Sequence, residues 1–359
     1  MFMSSTWSLT LRTVVISLLI GGTSGVVAGA VTSDSLSTYA LQLAELARTP
    51  RLSQSRPVFQ TPTGENILSV IEEDVLPGVV DVYASSGSLE TPIAHGIALT
   101  SDGWLVVKLS SGVSASALRY VIGRQVFAST EIVYDAVTGM TFVHIDERNL
   151  PVVAFGESAL LPFGARVYLL SSARSVAETS VYTTAWSSGA TSSDLPSRRI
   201  ILTEMMVAGN VGAPVTDEGG NLIGFVVGQE TDGRARVVGI EAVLPAFTSV
   251  LRDGEIVRPS LGVSVVDLAH AVAVPDGTRE RTQGAWIQSA AAVKRGGAAE
   301  TAGLKAGDII LSVDGIVVDE NHSLDELIVP HAVGDRVLLR VDRDSEQSEI
   351  EIQAVLGAL

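Results

Sequence analysis

Ala302-Gly303-Leu304-Lys305-Ala306-Gly307-Asp308-Ile309-Ile310 joins the end of a short helix to the start of an apolar strand. Gly303 serves a turn, and the strand runs on through Leu311-Ser312-Val313 to a second turn at Asp314-Gly315. Outward from this stretch, Leu261 to Val266 (LGVSVV) and Ala285 to Ala290 (AWIQSA) read as strands before it. Ser323 to Val329 (SLDELIV) reads as a helix after it, and RVLLRVD and SEIEIQAVL close the chain as strands. Five or six strands and two helices in about a hundred residues make a compact β-rich domain. The polar and Ala-rich stretch between Val266 and Gln283 is expected to be a loop insertion.

Upstream, from Glu65 to Asp253, short apolar runs recur between Gly, Ser, Asp and Pro: VVDVYA, GIALT, GWLVVKL, TEIVYD, TFVHID, ARVYLLS, RRIILTE and LIGFVVG. Strands at that spacing predict an antiparallel barrel or sandwich. The chain has 359 residues, which at roughly 150 per domain predicts about two domains. It has no cysteine, so disulfides, thiolate nucleophiles and iron–sulfur clusters are excluded. None of its five histidines stands in an H-x-x-x-H spacing, and no metal or organic cofactor is indicated. A formal net charge of −16 repels phosphate, which argues against a nucleic-acid partner.

The C-terminal unit resembles a PDZ domain. The resemblance rests on Leu261-Gly262-Val263 after Arg258-Pro259, on Ala298-Ala299 leading to Ala302–Ile310, on Val313-Asp314-Gly315 and on Gly334-Asp335-Arg336-Val337. It implies capture of an extended peptide as an added strand, with loop N–H groups holding the terminal carboxylate. The loop is then Ser260-Leu261-Gly262-Val263, and Leu324, Leu327 and Ile328 line the facing helix. Read as residues alone, the glycines equally serve turns and the leucines equally serve a core.

The upstream unit is similar to the HtrA (DegP/DegS-like) family of trypsin-fold serine proteases. Leu150-Pro151-Val152 with Phe155-Gly156-Glu157-Ser158 matches the family's "NLP…LGDS" segment, and Phe163-Gly164-Ala165-Arg166-Val167 matches the stretch after it. Gly219-Gly220-Asn221-Leu222-Ile223-Gly224 matches the strand after the nucleophile loop, and Val238-Gly239-Ile240 through Leu244-Pro245 matches the "GFAIP" strand. The implied fold is mainly β: a trypsin-like double six-stranded β-barrel followed by a PDZ domain, behind an N-terminal transmembrane helix. Implied boundaries are 1–33 for the membrane segment, 34–64 for a short helix and linker, 65–255 for the protease-like unit and 256–359 for the PDZ unit.

That resemblance also says where a catalytic triad should stand. The histidine of "GYILTNNHVV" falls at Ser110 in Gly103-Trp104-Leu105-Val106-Val107-Lys108-Leu109-Ser110, and a serine hydroxyl is no base near neutral pH. The aspartate of "DPLTDLALLKID" falls at Gly139, which has no side-chain acceptor. The serine of "GNSGGP" falls at Val211 in Gly209-Asn210-Val211-Gly212-Ala213-Pro214, and valine has no nucleophilic atom. Gly209 and Asn210 are the oxyanion-loop equivalents. His95 and His144 lie in strands, and neither is expected near Val211. Met205 and Met206 are expected to fill the space a substrate side chain would use.

Val14 to Val31 is uncharged and about long enough to span a bilayer. It reads as a retained anchor or as a signal peptide with a small-residue cleavage site at Ala28-Gly29-Ala30; its length favours the anchor. Arg12 on the short N-terminal side puts the bulk of the chain on the extracytoplasmic face of a bacterial membrane. The expected protein is an inactive HtrA-like scaffold, sensor or regulatory subunit in envelope quality control that binds peptide C-termini. The resemblance implies a homo- or hetero-trimer. The competing expectation is an active endopeptidase degrading misfolded envelope proteins, because fold alone does not decide activity.

Overall fold

The computed structural model describes residues 67–359 apart from 86–88, 110–113, 115–116, 173–174, 187–188, 273–275 and 344–348. The expected anchor and linker, and Ser110, lie outside the described residues. No helix among the described residues is long and apolar enough to cross a membrane.

Helical turns at Ile67–Val70 (α1) and Ile71–Val75 lead into a seven-stranded sheet. Its strands are β1 (Val79–Ala84), β2 (Ala94–Ala98), β3 (Trp104–Val107), β4 (Leu118–Ile122), β5 (Gln125–Phe127), β6 (Ser129–Tyr134) and β7 (Thr141–Ile145), in the order β5-β4-β1-β2-β3-β7-β6. Six strands were expected here. The seventh arises because Gly123, at φ +61, turns the chain tightly enough for β5 to fold back on β4.

The second unit is a closed six-stranded barrel in the order β11-β14-β13-β12-β8-β9. Its strands are β8 (Arg166–Ser172), β9 (Ser175–Ala185), β11 (Arg199–Met205), β12 (Pro214–Thr216), β13 (Leu222–Gln229) and β14 (Arg234–Gly239). β9 reads SVAETSVYTTA, whose hydroxyl-rich faces hide it from an apolar scan, yet its pairing with β8 and β11 closes the barrel. The seven-stranded sheet and the barrel each carry their own apolar cluster, around Leu105, Tyr120 and Val143 in the first and Leu169, Val215 and Val226 in the second. A fully buried side chain of this size contributes about 1.5–3 kcal/mol.

The fold corrects one expectation. The segment matched to a "GFAIP" strand leaves the sheet at Gly239 and becomes helix α2 (Ile240–Asp253), ending on Gly254 in the left-handed region. The reason is periodicity: Ile240, Val243, Leu244, Phe247 and Val250 recur at helical spacing and are all buried. Glu241 in its first turn accepts hydrogen bonds from the Ser158 N–H and hydroxyl. The Phe155–Ser158 segment also exchanges backbone bonds with β13, Gly156 N–H to the Leu222 carbonyl at 2.9 Å and Leu222 N–H to the Ala154 carbonyl at 2.8 Å. Three motifs far apart in sequence therefore meet in one place.

The C-terminal unit has β15 (Pro259–Ser260) paired with β22 (Gly357–Ala358), and a sheet of β16 (Ser264–Asp267), β17 (Ala285–Trp286), β18 (Ile309–Val313), β20 (Arg336–Asp342) and β21 (Ile350–Val355). β19 (Ile316–Val317) pairs with β18, and helices α3 (Ala298–Ala302) and α4 (Leu324–Ile328) complete it. β20 alternates exposed and buried residues, as a strand with one wet face must. β10 (Ala190–Ser192) belongs by sequence to the second barrel but adds to the free edge of β16.

Candidate functional site

The candidate residues gather in two places: the cleft between the seven-stranded sheet and the barrel, and the groove between β16 and α4. In the cleft, the Val207–Pro214 loop makes a 3₁₀ turn at Ala208–Asn210, closed by the Asn210 N–H on the Val207 carbonyl at 2.9 Å. The Val211 carbonyl accepts the His95 N–H at 3.1 Å, and the Gly212 N–H donates to the Val226 carbonyl at 2.9 Å, so the loop ties the sheet and the barrel together. Gly212 sits at φ +79, and a Cβ there would lie 2.2 Å from the His95 carbonyl oxygen, so only glycine fits.

His95 is therefore beside Val211, contrary to expectation, because β2 carries its backbone to the nucleophile loop. Its ring is buried and bonded through Nδ1 to Asp81 at 2.8 Å. His144 is placed elsewhere: it bonds Thr130 Oγ1 at 2.8 Å and the Asp102 carbonyl at 3.1 Å, edge-on to Trp104. Sequence reasoning passed over Lys108. It enters the cleft from the end of β3, and its Nζ lies 2.8 Å from where a Cβ on Gly139 would be. Its own Cβ lies 3.0 Å from the corresponding point on Gly212. Burial lowers the Lys108 pKa from the usual lysine value, and none of the ion pairs among the described residues includes it. The half-buried amine thus stands at Gly139, while the base of the same side chain lies against Gly212. The signal was a single charged residue closing the apolar run of β3.

The methionines divide. Met206 packs against the core of the second barrel, whereas Met205, expected to fill the substrate space, is 51% exposed and does not. Met205 is the last residue of β11 and lies on its exposed face, and Met206 follows it outside the strand.

In the groove, Leu261 and Val263 share one buried core with Leu324, Leu327 and Ile328. Gly262 has φ +78, which turns successive N–H groups toward one point, an arrangement that holds anions. A carboxylate is already there. Asp194 accepts the Leu261 N–H at 2.9 Å, the Gly262 N–H at 3.2 Å and the Ser260 hydroxyl at 2.6 Å. β10 runs antiparallel to β16 just before it, with Ala190, Thr191 and Ser192 opposite Val266, Val265 and Ser264. The groove is thus filled from the barrel and not by the 266–283 loop.

Beyond Asp194 the same segment grips α4. The Ser197 N–H and hydroxyl donate to Asp325 at 2.9 and 2.8 Å, and Arg198 pairs with Glu326 at 2.7 Å. Burial raises the pKa of Asp325 against the opposing bonds from Ser197 and Ser323. Burial also raises that of Glu326, with Asp325 and Glu241 adding to it and Arg198 opposing. Raised carboxyl pKa values mean that the folded chain binds more protons than the unfolded one. The stability these groups add is present below the ordinary carboxylate values and is lost as pH rises through the raised ones. Thermal midpoints of the wild type relative to an Asp325→Asn/Glu326→Gln variant should accordingly fall between about pH 4 and pH 7; a difference constant with pH would contradict this.

A PDZ domain family model matches residues 259–354. Over longer stretches the chain is 28% identical to "Serine protease Do-like HtrA" of Lactobacillus helveticus, covering 76% of this chain and 67% of that protein. It is 26% identical to "Probable periplasmic serine endoprotease DegP-like" of Halomonas elongata, covering 72% and 56%. To the Do-like HtrA of Bacillus subtilis it is 27% identical, covering 61% and 53%. The chain thus spans between about half and two-thirds of these relatives' lengths. Among solved structures, "HtrA-type protease AlgW with decapeptide" superposes with a TM-score of 0.58 at 18% identity, covering 82% of this chain and 99% of that one. A serine endoprotease from Yersinia pestis does so at 0.52 and 16%, covering 82% and 98%. These two likenesses speak for the fold. Fold, domain order and sequence likeness together make the chain similar to the HtrA/DegP-like serine proteases with a C-terminal PDZ domain.

Proposed function

We propose that this chain is a catalytically inactive member of that family that acts by binding peptide ends through its PDZ domain. In this reading Ser110, Gly139 and Val211 stand at the histidine, aspartate and serine positions, and Gly209 and Asn210 at the oxyanion loop. The observation that carries it is the cleft itself. Lys108 stands against Gly139 and Gly212, and the residues at 139 and 211, a glycine and a valine, supply no hydroxyl or imidazole to begin an acyl transfer. Ser260–Val263, Leu324, Leu327 and Ile328 form the peptide-binding region. The working division is 1–33 as membrane segment, 34–64 as linker, 65–255 as protease-like unit and 256–359 as PDZ unit. Extracytoplasmic placement is supported by the word "periplasmic" in the names of relatives. Tethering through Val14–Val31 and assembly into a homo- or hetero-trimer complete the proposal.

The second reading, an active endopeptidase, draws on the relatives' names as proteases and on the buried His95–Asp81 pair. Labelling of the purified full chain with a serine-directed fluorophosphonate, beside an active HtrA protease in the same gel, separates the two. The expected result is no labelled band and intact casein. Labelling that persists through purification would overturn the inactive reading.

A further inference from the structure

We propose that Ala190–Asp194 is a built-in ligand of the PDZ groove, which an incoming peptide with a free carboxyl end must displace. This rests on the reading above that the groove binds such ends. The segment uses two of the devices by which a strand-capturing groove holds a chain end, strand addition and capture of a carboxylate. It adds a strand to the edge of β16 in antiparallel register, Ala190 to Val266 through Ser192 to Ser264. It extends that pairing by one step, Ser193 N–H to the Val263 carbonyl at 2.9 Å and Val263 N–H to the Ser193 hydroxyl at 3.2 Å. It then delivers a carboxylate to the turned loop, where the two N–H groups of Leu261 and Gly262 and the hydroxyls of Ser260 and Ser193 all donate to it.

Here the carboxylate belongs to a side chain, so the backbone can continue, and Ser197 and Arg198 clasp the facing helix on the way to β11. Trp186, ahead of the segment, stacks on His270 of the PDZ unit with ring centroids 4.0 Å apart. Asp194 is 3% exposed and Ser193 fully buried, so this is a seated strand and not a grazing loop.

Exclusion follows from stoichiometry. Each N–H of Leu261 and Gly262 points at one oxygen cluster, and the edge of β16 can pair with one strand. A second carboxylate in the loop would also face Asp194 with no donors left to compensate like charges. The apparent affinity for an outside peptide is the intrinsic affinity reduced by the fraction of molecules whose groove is free, so a segment seated nine-tenths of the time weakens binding about tenfold.

The test uses the full chain, an Asp194→Ala variant, and a variant with Ala190–Asp194 replaced by Gly-Ser-Gly-Ser-Gly. Thermal melts establish that each folds. Fluorescein-labelled probes are titrated by polarisation: a decapeptide ending in valine with a free carboxyl group, the same decapeptide as its C-terminal amide for control, and fluoresceinyl-Gly-Ala-Thr-Ser-Ser-Asp-Leu-amide, the sequence of 189–195. Hydrogen exchange of the 260–266 stretch is followed by mass spectrometry. The expected result is binding of the free-carboxyl decapeptide at least tenfold tighter to the replaced variant, no such gain for its C-terminal amide, and faster exchange at 260–266. If the decapeptide fails on every protein but the 189–195 peptide binds the replaced variant, the built-in ligand stands and the reading of the groove as a receptor for chain ends falls. Equal decapeptide affinity in all three proteins, or unchanged exchange together with no binding of any probe, overturns the proposal.

Discussion

Asp135→Ala should cost about 3–5 kcal/mol of stability, the usual result of stripping a buried ion of its partner. Asp135 is 1% exposed and Arg258 6%, and their contact at 2.5 Å joins the turn after β6 to the first residues of the PDZ unit. Asp135 also organises its own turn, accepting the Val137 N–H at 3.1 Å and the Thr138 hydroxyl at 2.5 Å. Arg258 is less well served: its Nε and Nη1 are buried without a hydrogen-bond partner among the described residues. Removing Asp135 strands a guanidinium that is already under-satisfied, whereas Arg258→Met leaves the carboxylate with two donors. The order of cost is therefore Asp135→Ala above Arg258→Met, with the double variant recovering part of the loss because no buried charge remains. At about 2–4 °C per kcal/mol for a chain of this size, the Asp135→Ala midpoint should drop by roughly 10 °C. Melts of the four proteins check this. A double variant no more stable than Asp135→Ala would show that the turn, and not the ion pair, carries the energy.

That pair spans 123 positions, and its length explains what could and could not be read along the chain. Residues that act within a turn or a period were legible: the helix end at Gly303, the alternation of β20, the frame of Gly209–Pro214. So was the order of motifs that later converge, Phe155–Ser158 on Leu222–Gly224. Contacts made by lone residues across domains left no trace. Asp194 sits in a run of small hydroxyl residues that has neither helical nor strand periodicity, so β10 reads as a loop until β16 supplies its partner. Lys108 ends a four-residue apolar strand and looks like a boundary marker; only the fold shows that it faces Gly139 and Gly212. The helix at Ile240–Asp253 was hidden for another reason: a motif match overrode a periodicity that was present in the residues.

Lys108 leads to the second large effect. If Ser110, Gly139 and Val211 stand at the triad positions, as proposed, Ser110→His, Gly139→Asp and Val211→Ser together should still leave the chain far below an active relative. A carboxylate at 139 would emerge beside the Lys108 ammonium, whose nitrogen is 2.8 Å from the new Cβ, and would pair with it in place of an imidazole N–H. The φ of +70 at Gly139 is one that aspartate tolerates, so the obstacle is the amine and not the backbone. In a triad the carboxylate fixes the tautomer and direction of the histidine, a contribution of about 10⁴-fold in kcat in the serine protease from which that figure comes. Diverted onto lysine, it contributes little of that. Adding Lys108→Asn, the residue the related segment carries there, should raise kcat/KM on a fluorogenic peptide at least about tenfold over the triple graft, and should do so by increasing kcat with KM nearly unchanged. The reciprocal sign belongs to the lysine: Gly139→Asp alone should lift the Lys108 pKa back toward its ordinary value, readable as a loss of its reactivity toward amine-directed acylating reagents near neutral pH. Equal activity in the triple and quadruple grafts would clear Lys108 of blocking the cleft. Inactivity of both would move the obstacle to the loop at Ala208–Asn210, whose 3₁₀ turn, closed by the Asn210 N–H on the Val207 carbonyl, fixes the direction of the neighbouring N–H groups that would have to meet a developing oxyanion.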